Sequence, residues 1–233
     1  IIIQYKNKMI NYPFLINRHL KKKLEAQRKL DADIELFIGY CVTLAAAKNP
    51  REHYDACQNL LKTIPMSFAK FLEMERRLPE KFFERIGMKQ ITSSTFVLHV
   101  SCITDVVGLA EYVRMHAVDP SAIRFLSLAQ NKISKLNADD FTAFVALSDI
   151  NLEENALTEF PYESFAHMKS LKRLRLRYNN ISILSSAAIA QLRLATVLEL
   201  VGNPIFHFDA EEAFVATPGP MPRICSTSAP ADF

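Results

Sequence analysis

Three arginines stand at alternate positions of one short run, Arg173, Arg175 and Arg177, with Lys172 and Tyr178 beside them. Twenty-four residues earlier the same positions read Asp149, Asn151 and Glu153; twenty-four residues later they read Val197, Glu199 and Val201. One further step back gives Phe125, Ser127 and Ala129. Guanidinium forks match carboxylates and phosphates in both geometry and charge. These residue types therefore either dock anionic groups of a partner or neutralise one another.

Other candidates for chemistry fail on spacing. His53, Asp55 and Cys57 are two positions apart, and on a helix such positions point to different faces. His207 and Asp209 have no third ligand near them in sequence. The five glycines lie at least 17 positions apart, whereas a dinucleotide fingerprint, a P-loop or a nucleophile elbow needs them clustered. Cys41, Cys57, Cys102 and Cys225 form no CxxC pair, which argues against zinc and for reduced thiols in an intracellular protein. We assign no catalytic residue, cofactor or metal.

The elements that position the arginines follow from an internal repeat. Asn131, Asn155, Asn179 and Asn203 recur every 24 residues. Leu128, Leu152, Leu176 and Leu200 stand three positions before them, and Leu126, Ile150, Leu174 and Leu198 two before those. Apolar residues at alternate positions make a short strand with one buried face. The Asn then turns the chain, and its amide can satisfy backbone groups of the neighbouring turn. Later apolar positions such as Phe141, Phe165 and Ile189 tie the return arm to the same core. One unit cannot close that core, but stacked units share it.

This frame resembles the leucine-rich repeat in its 24-residue form, over about residues 121–208. The resemblance implies an α/β fold: a leucine-rich repeat solenoid with parallel strands on its concave face. It also implies that the concave face binds partners, so Phe125, Asp149, Asn151, Glu153, Arg173, Arg175, Arg177, Tyr178 and Glu199 are the expected partner-binding residues. Asn131, Asn155, Asn179 and Asn203 take the structural role. Lateral pairs Asp149–Arg173 and Glu153–Arg177 are expected between neighbouring strands, leaving Arg175 beside Asn151 and Glu199 as the foremost docking residue. Cysteine-rich caps, usual in extracellular members, are absent, which points to the cytoplasm or nucleus.

The rest of the chain is organised around this region. Residues 1–91 read as a mainly helical domain or cap, with helices over His19–Lys48, Pro50–Lys62, Met66–Arg77 and Pro79–Ile86, the last closed by Gly87. Residues 92–208 hold one divergent repeat, with a strand at 95–101 and a helix at 105–117, followed by four regular units. Residues 209–233 are expected to form a short capping helix over Asp209–Val215 and a flexible tail after about 216. Residues 1–120 carry a net charge of +5 and residues 121–233 a net charge of −2, so the halves are unlike. The longest apolar run, Phe37 to Ala47, is too short for a bilayer, which needs roughly 20 residues.

The expected function is a non-enzymatic interaction module docking a protein or peptide. An alternative is an RNA-handling adaptor: nuclear messenger-RNA export receptors are similar in their four-repeat domain, and the basic stretch from Arg18 to Lys29 fits phosphate contact. A third expectation is a substrate-recruiting subunit of a larger complex.

Overall fold

A computed structural model describes residues 18–45, 54–185, 197–209 and 223–225. Helix α1 spans Arg18–Ala45 and buries Ile34, Phe37, Ile38 and Cys41, one stripe at helical spacing. Helix α2, Tyr54–Leu61, buries Cys57, Gln58 and Leu61. Ser67 caps α3 (Phe68–Glu75), its hydroxyl accepting from the Lys70 N–H at 3.4 Å, and Phe68, Phe71 and Met74 face inward. The single turn α4, Phe82–Arg85, ends at Gly87, whose φ of 84° is the left-handed region that favours glycine.

Strand β1 (Lys89–Ile91) then pairs antiparallel with β2 (Thr95–Leu98). The sequence gives β1 no repeat-like signature, and its pairing joins the helical region to the sheet. Helix α5, Leu109–Met115, is the return arm of the divergent repeat. Strands β3 (Phe125–Ser127), β4 (Asp149–Asn151) and β5 (Arg173–Arg175) follow in parallel, and α6 (Tyr162–Phe165) lies between β4 and β5 in sequence. Strand β6 (Ile183–Ser185) pairs with β8 (His207–Asp209) in a small second sheet. Strand β7 (Val197–Glu199) continues the main sheet, and β9 (Arg223–Cys225) pairs parallel to it. Residues 223–225, within the expected tail, form β9 beside β7. The capping helix expected over Asp209–Val215 lies outside the described residues, except for Asp209 in β8.

The repeat asparagines explain the stacking. Asn155 Nδ2 donates to the carbonyls of Leu128, Leu152 and Glu153, and its Oδ1 accepts from the Ile133 N–H at 3.0 Å. Asn179 makes the same set one repeat on, to Leu152, Leu176 and Arg177, and accepts from Leu157. Asn131 reaches back to Leu98, so the divergent repeat is stacked by the same device. Each side chain pairs buried backbone groups of two successive turns, which would otherwise be orphaned.

One apolar core runs from Ile34 to Leu200. At its helical end Tyr112 packs edge-on against Phe68 and Phe96, with centroids 5.4 and 5.9 Å apart. The boundary expected at residue 91 falls between the paired strands β1 and β2, and the core crosses it.

Candidate protein-docking surface

Along β3, β4, β5 and β7 the residues facing the core are Leu126, Ile150, Leu174 and Leu198, all fully buried. Their neighbours at alternate positions face the other way. The register sets Phe125, Asp149, Arg173 and Val197 in one row, and Ser127, Asn151, Arg175 and Glu199 in the next.

The expected lateral pairs are present: Arg173 lies 3.6 Å from Asp149, and Arg177 lies 3.6 Å from Glu153. Two further features were not legible in the spacing. Glu199 meets all three arginines, at 3.9, 3.8 and 2.8 Å from Arg173, Arg175 and Arg177. Arg175 has the lateral neighbours expected, but its guanidinium reaches diagonally to Asp149, 3.0 Å from Oδ1, and lies over the Phe125 ring at 6.0 Å from its centroid. Arg175 is therefore the most tightly held of the three. Its side chain is 20% exposed, against 46% for Arg173 and 42% for Arg177. Three arginines and three carboxylates cancel in charge. Burial, opposed by Arg175 and Arg173, pushes the Asp149 carboxyl above its ordinary value, with Glu199 adding to the rise.

Asn151 turns its Oδ1 to the Glu153 N–H at 2.9 Å and so shapes the strand end. Tyr178 is exposed, has a φ of 54°, and lays its ring where a Cβ at Gly202 would be. At the β3 end the face is closed: Ser127 and Ala129 are buried, and His99 Nε2 lies 2.6 Å from Ser127 Oγ. Burial holds the His99 imidazole below its ordinary value, with Glu154 opposing.

A second charged cluster, with no signature in the sequence, sits between the helices and β1. Lys89 Nζ is almost wholly buried against Glu75 and lies 3.1 Å from Glu84. Tyr112 donates its hydroxyl to Glu75 at 2.6 Å, and His116 Nε2 stands 3.8 Å from the same carboxylate. Burial works to raise the Glu75 carboxyl, yet His116, Lys89 and Tyr112 together hold it below its ordinary value. Among the described residues, no group of three or more His, Cys, Asp or Glu is placed to hold a metal ion, and no helix is long and apolar enough to cross a membrane.

The sequence model of the leucine rich repeat family matches residues 146–205. With the parallel sheet and the asparagine stacking, the matched residues are leucine-rich repeats, and the repeats form an α/β solenoid with helices on the N-terminal side. Mouse osteomodulin is 39% identical over 89 residues, covering 37% of this chain and 20% of that protein. The mouse leucine-rich repeats and immunoglobulin-like domains protein 2 is 39% identical over 70 residues, covering 30% of this chain and 6% of that protein. The chain thus matches a fifth or less of the length of these relatives. Among solved structures, a chain of the TLR13–ssRNA13 complex aligns with a TM-score of 0.43 and 20% identity, over 64% of this chain and 19% of that one. A Listeria monocytogenes internalin aligns with a TM-score of 0.34 and 11% identity, over 72% and 59%.

Proposed function

We propose that this chain is a non-enzymatic docking module that binds a protein or peptide partner on the concave face of its repeats. The observation that carries this reading is the row of Arg173, Arg175 and Arg177 set between Asp149 and Glu153 on one side and Glu199 on the other. Arg173 and Arg177 are nearly half exposed and keep unused N–H donors, so a partner carboxylate can exchange with their contacts of 3.6–3.9 Å while Arg177 keeps its 2.8 Å contact with Glu199. Arg175, held by Asp149 and Phe125, keeps the strip in shape. The partner-binding set is Phe125, Asp149, Asn151, Glu153, Arg173, Arg175, Arg177, Tyr178 and Glu199.

Affinity capture with the wild-type chain and with Arg173→Ala/Arg177→Ala tests the reading. A protein retained at moderate salt by the wild type and lost from the variant supports it. Capture mainly of RNA, declining steeply as salt rises, contradicts it, because phosphate contacts release counterions.

A further inference from the structure

Helices α1 and α2 each bury one stripe, and each stripe carries a cysteine. Cys41 continues Ile34, Phe37 and Ile38 on α1, and Cys57 lies with Gln58 and Leu61 on α2. Both cysteines are wholly buried free thiols. The two helices pack together, and across that contact the Cys41 and Cys57 thiols hydrogen-bond to one another. The bond holds the Cys57 thiol below its ordinary value, with burial opposing, and it raises Cys41, with burial adding to the rise. Sulfurs already in contact need only a small approach to bond covalently.

Cys102 supplies the contrast. It is equally buried, but its thiol is raised by burial alone, with Lys132 opposing. Outside its apolar stripe, α1 is tied to the helical region by two partly exposed ion pairs, Asp31 with Lys70 at 3.0 Å and Glu35 with Arg77 at 2.6 Å. Such pairs contribute little, so the docking of α1 rests on the stripe that includes Cys41.

We propose that Cys41 and Cys57 form a disulfide when the chain folds in the presence of a small-molecule disulfide such as oxidised glutathione, fastening α1 to α2. The thiolate of one cysteine attacks a sulfur of the glutathione disulfide and expels a glutathione thiolate. The thiolate of the other attacks the resulting mixed disulfide at the protein sulfur and expels the second. Two protein thiols are oxidised, one glutathione disulfide is reduced to two thiols, and these take up the two protons released. Both protein sulfurs are sealed in the docked helices, so the exchange precedes docking of α1, and docking then shields the bond from reductants. This departs from the expectation of reduced thiols at these two positions, because spacing in sequence does not show which helix faces meet.

The test uses the full chain, reduced, unfolded in urea and diluted into buffers of fixed reduced-to-oxidised glutathione ratio, with circular dichroism confirming refolding. Free thiols are then alkylated, and peptides digested without reduction are read by mass spectrometry; the same equilibrium is measured in urea. The expected result is Cys41 joined to Cys57 with Cys102 alkylated. The equilibrium constant against glutathione should be at least tenfold larger in the folded chain than in urea, and the melting temperature about 3–10 °C above that of the reduced chain. A folded-to-unfolded ratio below tenfold overturns the proposal. So does recovery of Cys41 and Cys57 as alkylated thiols or glutathione adducts from the refolded chain, or of either joined to another cysteine.

Discussion

Arg175 Nη1 lies 3.0 Å from Asp149 Oδ1, although the sheet register places Asn151, and not Asp149, directly beside Arg175. The diagonal arises because a long guanidinium side chain spans the next residue pair on a parallel neighbour, about 4.8 Å away. It separates the strip into a held arginine and two reachable ones.

Stability should follow that separation. Arg175→Ala leaves the partly buried Asp149 and Glu199 facing each other and removes the contact with Phe125, so we predict a loss of about 1 kcal/mol. Arg173→Ala should cost less than about 0.5 kcal/mol, since its contacts are longer and more exposed. Urea denaturation of the two variants gives the order; equal losses would contradict it.

The asparagine ladder makes a sharper prediction. Asn155→Ala orphans the carbonyls that its amide pairs and the Ile133 N–H, at a cost of about 2–4 kcal/mol. Asn155→Asp should not rescue it, because a carboxylate accepts from Ile133 but donates nothing to Leu128 and Leu152. Thermal unfolding of both variants tests this, and wild-type stability in the Asp variant would refute the donor role.

How much of this was legible in the sequence follows from what repeats. Asn131, Asn155, Asn179 and Asn203, with their leucines, recur at fixed spacing because each unit solves the same stacking problem, so the strands and the arginine strip could be placed from periodicity. Lys89 has no such signal. Its partners Glu75 and Glu84 belong to one helix each, and Tyr112 comes from a third, so only the tertiary fold brings them together. Strand β9 was missed for the same reason, since its partner β7 lies 26 residues earlier in register. The diagonal reach of Arg175 was hidden because spacing gives the position of a Cβ, not the end of a long side chain.

The Lys89 cluster carries a pH signature. The Glu75 carboxyl is depressed in the folded state, so it contributes stability that is present above its unfolded value of about 4.3 and is lost as pH falls through the folded value. Glu75→Gln should therefore flatten the acid limb of a stability–pH curve measured from pH 6 downward. An unchanged acid limb would sink the assignment. Lys89→Met, which leaves the largely buried Glu75 and the partly exposed Glu84 without their cation, should cost about 3 kcal/mol at neutral pH.

Gly202, at a φ of 78°, is set by backbone conformation and by the Tyr178 ring lying over it. Gly202→Ala should destabilise by about 1–2 kcal/mol, chiefly from the left-handed backbone, since the exposed ring can swing aside. Adding Tyr178→Ala should recover only a small part of that loss in a double-mutant comparison; full recovery would show that ring overlap is the cause.

The docking account is tested most directly by isothermal titration of the captured partner against the wild-type chain and Arg173→Ala/Arg177→Ala, with circular dichroism confirming that both are folded. The account predicts at least a tenfold loss of affinity in the variant at an unchanged helix and strand content. Equal affinity for the two proteins would place the partner elsewhere and contradict the concave-face reading.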